Sequence, residues 1–573
     1  MEGPAVVSFR TCPVTGLKIE SQAESLLRWH AVTAVVHFLI GVCAALLLAL
    51  TRWQAVHLLP ADWYYRILTA HGLNMLIFFI IFFEMAVLYF AGPILLNCRQ
   101  PAPKLGWLGY GLMLIGACTT NYFVFAGKAD VLFTSYVPLR AHPAYYLGII
   151  LFAVGALIST LLFFATLVVA RREKTYTGSI PLVSFGALTA AIIAVITLVH
   201  GALIYVPTFF WSLGWIELDP EVYRMVFWAL GHSSQQINVA AHVSCWYLLA
   251  ALTVGGVVLN ERVSRTAFFL YVLFISMASA HHLLVDPGVG PAWKVWNTSY
   301  AMYLAVLASM VHGFTVPAGI ETGQRLRGFT QGRFQWLTKA PWGDPGFSAL
   351  WLSLVIFGFG GGITGVVIGT EQINIIAHNT MRLPGHFHMT VVGGTALCFM
   401  GVTYYLLPLI FRRRVAFYKL AQIQPYLFGA GITLMGIAMT YAGTFGVPRR
   451  HWDVSFTHAP FPVQFPPVVD LFLAAMGIGG ILAFLGGISY CLIAVVSVFF
   501  GKPLSEEEIR SGGPGLPPGV VKLPRQLHSE EQAEAAHRQG NPGTVVLVAI
   551  FFLCFVLYYF TNWKILSMLW KVG

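Results

Sequence analysis

The stretch richest in chemistry in this 573-residue chain is Arg382-Leu-Pro-Gly-His386-Phe-His388-Met389, which places histidines at i and i+2. Each residue of a helix turns about 100°, so the two imidazoles differ in direction by about 200°. They point to nearly opposite sides of one rod and cannot ligate one metal together. They can hold two separate metal centres, one on each side. Four more histidines fall at a comparable depth in three other apolar stretches: His71, His232, and the adjacent His281 and His282 just before Asp286-Pro-Gly. Ionisable residues inside a bilayer are costly and mark function by default. His232, His281 and His282 form a three-imidazole set with an open position, which suits copper, iron or zinc. A loosened helix end is needed for both adjacent histidines to reach one ion. His71, His386 and His388 suit haem, as a facing bis-histidine pair and a single proximal ligand. His37, His57, His200 and His242 read as surface, interface or packed polar residues.

The elements that must position these residues are membrane helices. The chain is 57% hydrophobic and 10% charged, with a mean hydropathy of +0.73. A soluble domain carries about 25% charged residues. The class is therefore all-α and polytopic, and the formal net charge of +11 belongs to loops at a membrane surface, not to a nucleic-acid binder. Apolar stretches long enough to span fall at 31–51, 64–93, 105–126, 143–170, 180–207, 221–259 and 266–284, then at 292–320, 346–370, 382–410, 423–446, 467–500 and 543–566. About thirteen transmembrane helices follow. The division is a cytoplasmic tail (1–30), a twelve-helix core (31–500), a polar cytoplasmic loop rich in Pro, Gly and charge (501–542), and a last transmembrane helix (543–573). No apolar h-region marks the first 25 residues as a cleavable signal. The Cys12-Pro-Val-Thr-Gly segment reads as part of the polar tail. The eight cysteines include no C-x-x-C, which argues against covalent c-type haem and a thiolate copper cluster. Alternate loops carry the basic residues, such as Arg171, Arg172 and Lys174 or Arg412, Arg413 and Arg414, so the amino terminus is expected on the cytoplasmic side.

With these motifs in place, the chain resembles the catalytic subunit of the haem-copper oxidoreductases. It is most similar to the B-type oxygen reductases and their nitric-oxide-reducing relatives. The likeness runs from His71 to about Arg450 through Phe133-Thr-Ser-Tyr136-Val-Pro-Leu, His142-Pro-Ala-Tyr-Tyr-Leu-Gly148, Phe227-Trp-Ala-Leu-Gly-His232, His281-His282 with Asp286-Pro-Gly, His378-Asn-Thr, Pro384-Gly-His-Phe-His388 and Val447-Pro-Arg449-Arg450. The resemblance implies two haems and one non-haem metal, copper or else iron. It implies that His71 and His388 clamp a low-spin haem and that His386 is proximal to a high-spin haem. His232, His281 and His282 would hold the metal, with Arg449, Arg450, Asp286 and His378 near the haem propionates. It also implies a smaller membrane-anchored subunit or a cytochrome as electron donor, and the cell's inner membrane as location.

One departure from the oxygen reductases bears on the chemistry. Their B-type members keep a cross-linked tyrosine four residues after the first metal histidine, on the same helix face. Here that position is Gln236, in His232-Ser-Ser-Gln235-Gln236-Ile-Asn238. The C-type location, five residues before the paired histidines, is Ser276, and the nearest upstream tyrosine is Tyr271. Cleaving O–O takes four electrons, one of which the family draws from the tyrosine. Coupling two NO takes two, and family NO reductases lack the tyrosine. Gln236 cannot ionise or form a radical, but it donates and accepts hydrogen bonds. The expectation is NO reduction to N₂O, with His232, Gln236 and Asn238 on the reacting side. The alternative is an oxygen reductase whose tyrosine has moved, to Tyr300 or Tyr303. A haem-bearing sensor and a secondary transporter are the readings from other classes. For protons, Tyr247, His312 and Thr315 stand on the family's ladder, and Glu84 and Glu321 are further carboxyl candidates.

Overall fold

The computed structural model describes residues 8–275, 278–511, 538 and 540–569. A two-stranded antiparallel hairpin, β1 (Phe9–Thr11) and β2 (Lys18–Glu20), opens the described chain. Helices follow as α1 (Ser21–Arg52), α2 (Ala61–Ile94), α3 (Pro103–Phe125), α4 (Pro143–Arg172), α5 (Leu182–Ser212), α6 (Pro220–Val254) and α7 (Glu261–Leu270). The second half holds α8 (Pro291–Leu326), α9 (Pro345–Gly369), α10 (Arg382–Leu409), α11 (Tyr418–Thr444), α12 (Val468–Phe500) and α13 (Pro542–Leu569). Among the described residues, twelve of these are long and apolar enough to cross a membrane, α7 being the exception. The chain is a multi-pass membrane protein.

Two expectations need correction. Residues 9–30 are not a free polar tail. The Cys12-Pro-Val-Thr-Gly segment forms the turn of the hairpin with Cys12 buried, and α1 begins at Ser21, capped by the Glu20 carboxylate on Gln22 N and Ala23 N. Glu24 pairs with Arg10 and Arg28, and these arginines donate to Leu409 O and Ile410 O at the end of α10. The charges that made this stretch look like a tail are spent on one another and on exposed carbonyls. The seventh expected span, 266–284, is not one helix. After Leu270 it widens into a π segment (Tyr271–Ile275) and ends in a 3₁₀ turn (Ser279–Leu283). Ser276 lies outside the described residues, as does most of the 501–542 loop.

Most spans are regular helices, and π segments interrupt several of those around the histidine layer. Helix α6 starts with Asp219 accepting from Glu221 N and Val222 N ahead of Pro220, and stops at Gly255 in the left-handed region (φ 65°), a cap at each end. Helices α2, α9 and α10 each contain a π segment, Asn74–Phe79, Ile356–Gly362 and His388–Ala396. Such bulges reorient side chains locally and recur at functional sites. Helix α10 is pinned at its histidine turn by close approach to α11. A Cβ on Gly385 would come 2.4 Å from Thr440 Oγ1 and 2.7 Å from Gly436 O, so only glycine fits there.

Candidate haem and metal centre

The six histidines of the apolar layer fall into two groups on the two sides of α10. On one side, the rings of His71 and His388 lie 6.2 Å apart, centre to centre, and within 9° of parallel. His71 Nδ1 bonds Gly41 O at 3.0 Å and His388 Nδ1 bonds Pro384 O at 2.7 Å. Each ring is thereby oriented with Nε2 as its remaining donor atom, the usual second partner of a metal-bound imidazole. Two metal–imidazole bonds of about 2 Å, with about 1 Å from each nitrogen to its ring centre, add to about 6 Å. The pair therefore fits a six-coordinate haem iron held between α2 and α10.

On the other side, His232 of α6 meets His281 and His282 of the 3₁₀ turn. One ligand atom from each lies within 4.8 Å of the others, and His232 Nδ1 stands 3.2 Å from His282 Nε2. Ligands of a tetrahedral ion with bonds of about 2 Å are about 3.3 Å apart, so the set fits one metal. The turn brings both neighbouring rings inward, with His281 N held by Asn297 Oδ1 of α8 at 3.1 Å and His281 Nδ1 bonded to Ala278 O. His386 faces the same space across a cavity of about 250 Å³ that all four of these histidines line. Its Nδ1 is held by Gly361 O at 3.0 Å and Thr364 Oγ1 at 3.1 Å, again leaving Nε2 for iron. A second cavity of about 170 Å³ contains His71 and His388. Phe387, Leu76, Phe133, Arg449 and Arg450 border both.

Above the two cavities lies a cationic cluster. Asp286 takes both hydrogen bonds from Arg224, at 2.9 and 3.0 Å, and does not touch Arg449 or Arg450. Arg449 bonds Asn379 Oδ1, and Arg450 sits over the rings of Phe133 and Tyr136. Burial, then repulsion from Arg450 and Arg224, hold Arg449 down at about 9. His378 lines the larger cavity and is pushed down to about 4 by burial, then by Arg449, Arg224 and Arg450. With Asp286 taken by Arg224, Arg449 and Arg450 have no carboxylate partner among the described residues, and two haem propionates fit this cationic pocket. Sequence reasoning missed Arg224. Its signal is a cation eight residues before His232, in the second turn of α6.

Gln235 and Gln236 line the larger cavity, and among the described residues no tyrosine does. Tyr300 and Tyr303 are 55% and 47% exposed, turned outward. The Tyr271 hydroxyl is 2.9 Å from Ser309 Oγ, and Ser309 lines the cavity. Asn238 is absent from the lining and is buried toward Glu84. Tyr247, His312 and Thr315 do come together: the Tyr247 hydroxyl is 2.9 Å from His312 Nδ1, 2.7 Å from Thr315 Oγ1 and 3.0 Å from Ser264 Oγ. Glu321 is occupied elsewhere, accepting from Gly543 N, Thr544 N and Thr544 Oγ1 at the start of α13 and pairing with Arg325. Of the four histidines read as packed, His37 bonds Asn74, His57 bonds Thr51 O, His200 bonds Ile196 O and His242 bonds Thr395.

Comparison with known proteins decides the family. The profile described as "Cytochrome C and Quinol oxidase polypeptide I" matches residues 25–498. The chain belongs to the haem-copper oxidase subunit I family. Members of this family carry haem and a copper or other metal centre and are oxidoreductases. The subunit is 32% identical over 422 residues to cytochrome c oxidase subunit 1 of Thermus thermophilus, covering 72% of this chain and 74% of that protein. It is 23% identical over 452 residues to quinol oxidase subunit 1 of Bacillus subtilis, covering 74% of this chain and 64% of that one, just under two thirds. The solved structure of a heme-copper terminal oxidase dimer superposes with a TM-score of 0.79 at 24% identity, covering 93% of this chain and 92% of that one. That likeness establishes the shared fold.

Proposed function

We propose that this subunit reduces nitric oxide: 2 NO + 2 e⁻ + 2 H⁺ → N₂O + H₂O. His71 and His388 would hold the low-spin haem, His386 the high-spin haem, and His232, His281 and His282 a non-haem metal, copper by family and iron as the other candidate. Once bound, these groups supply the electrons and the binding positions for NO. The chain's own part is ligand orientation, hydrogen bonding and proton supply. Nδ1 contacts to Gly41, Pro384, Gly361 and Thr364 fix the imidazoles. The side chains of Gln235 and Gln236 offer amide donors and acceptors to a small polar ligand. Arg224, Arg449 and Arg450 would neutralise propionates.

The observation that carries this reading is the cavity lining, with glutamine at i+4 from His232 and no tyrosine among the described lining residues. Splitting O–O needs an electron beyond what the haem iron and its neighbouring metal hold, whereas joining two NO does not; both reactions consume protons. Oxygen reduction is the second reading, and two observations favour it. The named relatives are cytochrome c and quinol oxidases, and the Tyr271 hydroxyl stands one hydrogen bond from the cavity through Ser309.

Electrons would come from a smaller membrane-anchored subunit or a cytochrome, and the membrane would be the cell's inner membrane. The amino terminus would face the cytoplasm, as the basic loops require. The domain division follows the spans, with the catalytic core in the first twelve helical segments and α13 beyond the polar loop. The test is His232→Ala in the purified protein, assayed for N₂O from NO without oxygen. The variant should keep both haem spectra and lose N₂O formation. An unchanged rate would sink the assignment of this cavity.

A further inference from the structure

Glu84 lies in the middle of α2, 13 residues beyond His71, and is buried at 4% exposure. At 1.5 Å per residue it sits about 20 Å deeper along the helix. None of the ion pairs among the described residues includes it. With its amide nitrogen as donor, Asn238 of α6 reaches Glu84 Oε1 at 2.8 Å and Ser234 O at 3.2 Å. Titratable groups on the elements packed here include His30 and His37 of α1 and Tyr110 of α3, all against the Phe82 ring, with Tyr89 of α2 and His242 of α6. None of these hydrogen-bonds the carboxyl among the described residues. A carboxyl with one amide partner and no cation is costly to ionise at this depth. Such a group packs poorly as a structural residue, since leucine or phenylalanine would fill the space without the cost.

The surroundings link this acid to the reaction cavity. Asn238 is i+3 from Gln235 and i−4 from His242, so the three share one face of α6. Gln235 lines the cavity, and its Oε1 is buried with no partner among the described residues. His242 Nδ1 is 2.9 Å from Thr395 Oγ1, and Thr395 also lines the cavity. Polar side chains thus stand between the Glu84–Asn238 pair and the cavity wall on two sides.

We propose that Glu84 is a proton-holding group for the reduction, with Asn238 as the positioning residue that aims its carboxyl. The inference rests on the proposed function only in that the reaction consumes protons. The Glu84 O–H bond breaks and its proton passes toward the Gln235 side of the cavity. There it ends, joined by a second proton taken up from the aqueous phase, on the oxygen that leaves as water, while the two electrons come from the reduced donor. A proton from the aqueous phase restores the carboxylic acid between turnovers.

Glu84→Gln keeps the shape and removes the acid. With both haems retained by their spectra, turnover should fall about tenfold or more, at the low end of what a positioned proton donor contributes. The reduced-minus-oxidised infrared difference should lose a protonated-carboxyl C=O band. Asn238→Leu should keep that band and shift it, which a merely space-filling Asn238 would not do. Turnover within twofold of wild type, or an unaltered band in Glu84→Gln, overturns the proposal. If Glu84→Gln fails to assemble, the Asn238→Leu band decides, and an unshifted band overturns it. Both variants are assayed with NO and with O₂. Loss of NO reduction in the wild type would defeat the proposed substrate, while the Glu84 test would still be read on whichever acceptor the wild type reduces.

Discussion

Gly365 of α9 is the residue whose replacement should separate the two haems. A Cβ built there would lie 2.8 Å from His386 Cε1 and 3.5 Å from His386 Nδ1. Ordinary contact begins near 3.4 Å, so in Gly365→Ala the imidazole has to yield by about 0.6 Å. The ring has little freedom to do so, because Gly361 O at 3.0 Å and Thr364 Oγ1 at 3.1 Å both hold Nδ1. Adding about 0.6 Å to either contact takes it to about 3.6 Å, past useful hydrogen bonding. One lost bond of this kind costs about 1–1.5 kcal/mol. Disturbing a ligand's outer partner typically weakens metal affinity about 10–100-fold, which is about 1.4–2.8 kcal/mol. His71 and His388, on the far side of α10, are untouched. Membranes carrying Gly365→Ala should therefore show the low-spin haem at wild-type level. The CO-binding difference spectrum of the high-spin haem should weaken, with an increased dissociation constant. Equal retention of both signals, with unchanged CO affinity, would refute the placement of His386 as proximal ligand.

The remaining predictions concern assembly and pH. Glu321→Ala removes the acceptor for Gly543 N and Thr544 N and the anionic partner of Arg325, whose side chain is 10% exposed and keeps only the Thr330 and Gly332 carbonyls. Breaking a buried pair costs about 3–5 kcal/mol, so α13 should loosen and Cys554 should react faster with a membrane-permeant maleimide. Unchanged labelling contradicts that role. Asp344 caps α9 and accepts from the Tyr405 hydroxyl at 2.6 Å, yet burial, against the pull of that hydroxyl and the Phe347 and Gly346 amides, raises it to about 6. Its folded value lies above the unfolded value of about 4. Its favourable contribution is complete below pH 4 and is lost as pH rises through 6. Asp344→Asn should gain in melting temperature relative to wild type between pH 4 and 7, and a difference independent of pH contradicts this.

Much of the centre was readable because its chemistry is written in spacing. The i, i+2 histidines of α10 must face opposite ways on any helix, and the adjacent His281 and His282 demanded an irregular turn. What the sequence concealed was long-range satisfaction of charge. The start of α1 looked like a polar tail because Glu24 and Arg28 find their partners on Arg10 and on Ile410 O, far along the chain. The break in α7 was invisible because its residues are as apolar as those of a straight span, and hydropathy does not register π or 3₁₀ winding. Arg224 was passed over because its meaning depends on Asp286, 62 residues away. The contact of Asn238 with Glu84 likewise exists only once α2 and α6 pack.

With Gln236 at the i+4 position from His232, the acceptor that the cavity reduces is the most direct test. Purified, fully reduced protein is given NO in the absence of oxygen and, in a parallel sample, O₂ in the absence of NO, with electrons, N₂O and water-forming O₂ uptake counted. One N₂O is expected for every two NO and two electrons, at a turnover well above that with O₂. Rapid four-electron O₂ uptake with no N₂O from NO would contradict NO reduction and give the chain the chemistry of the oxidases it is related to.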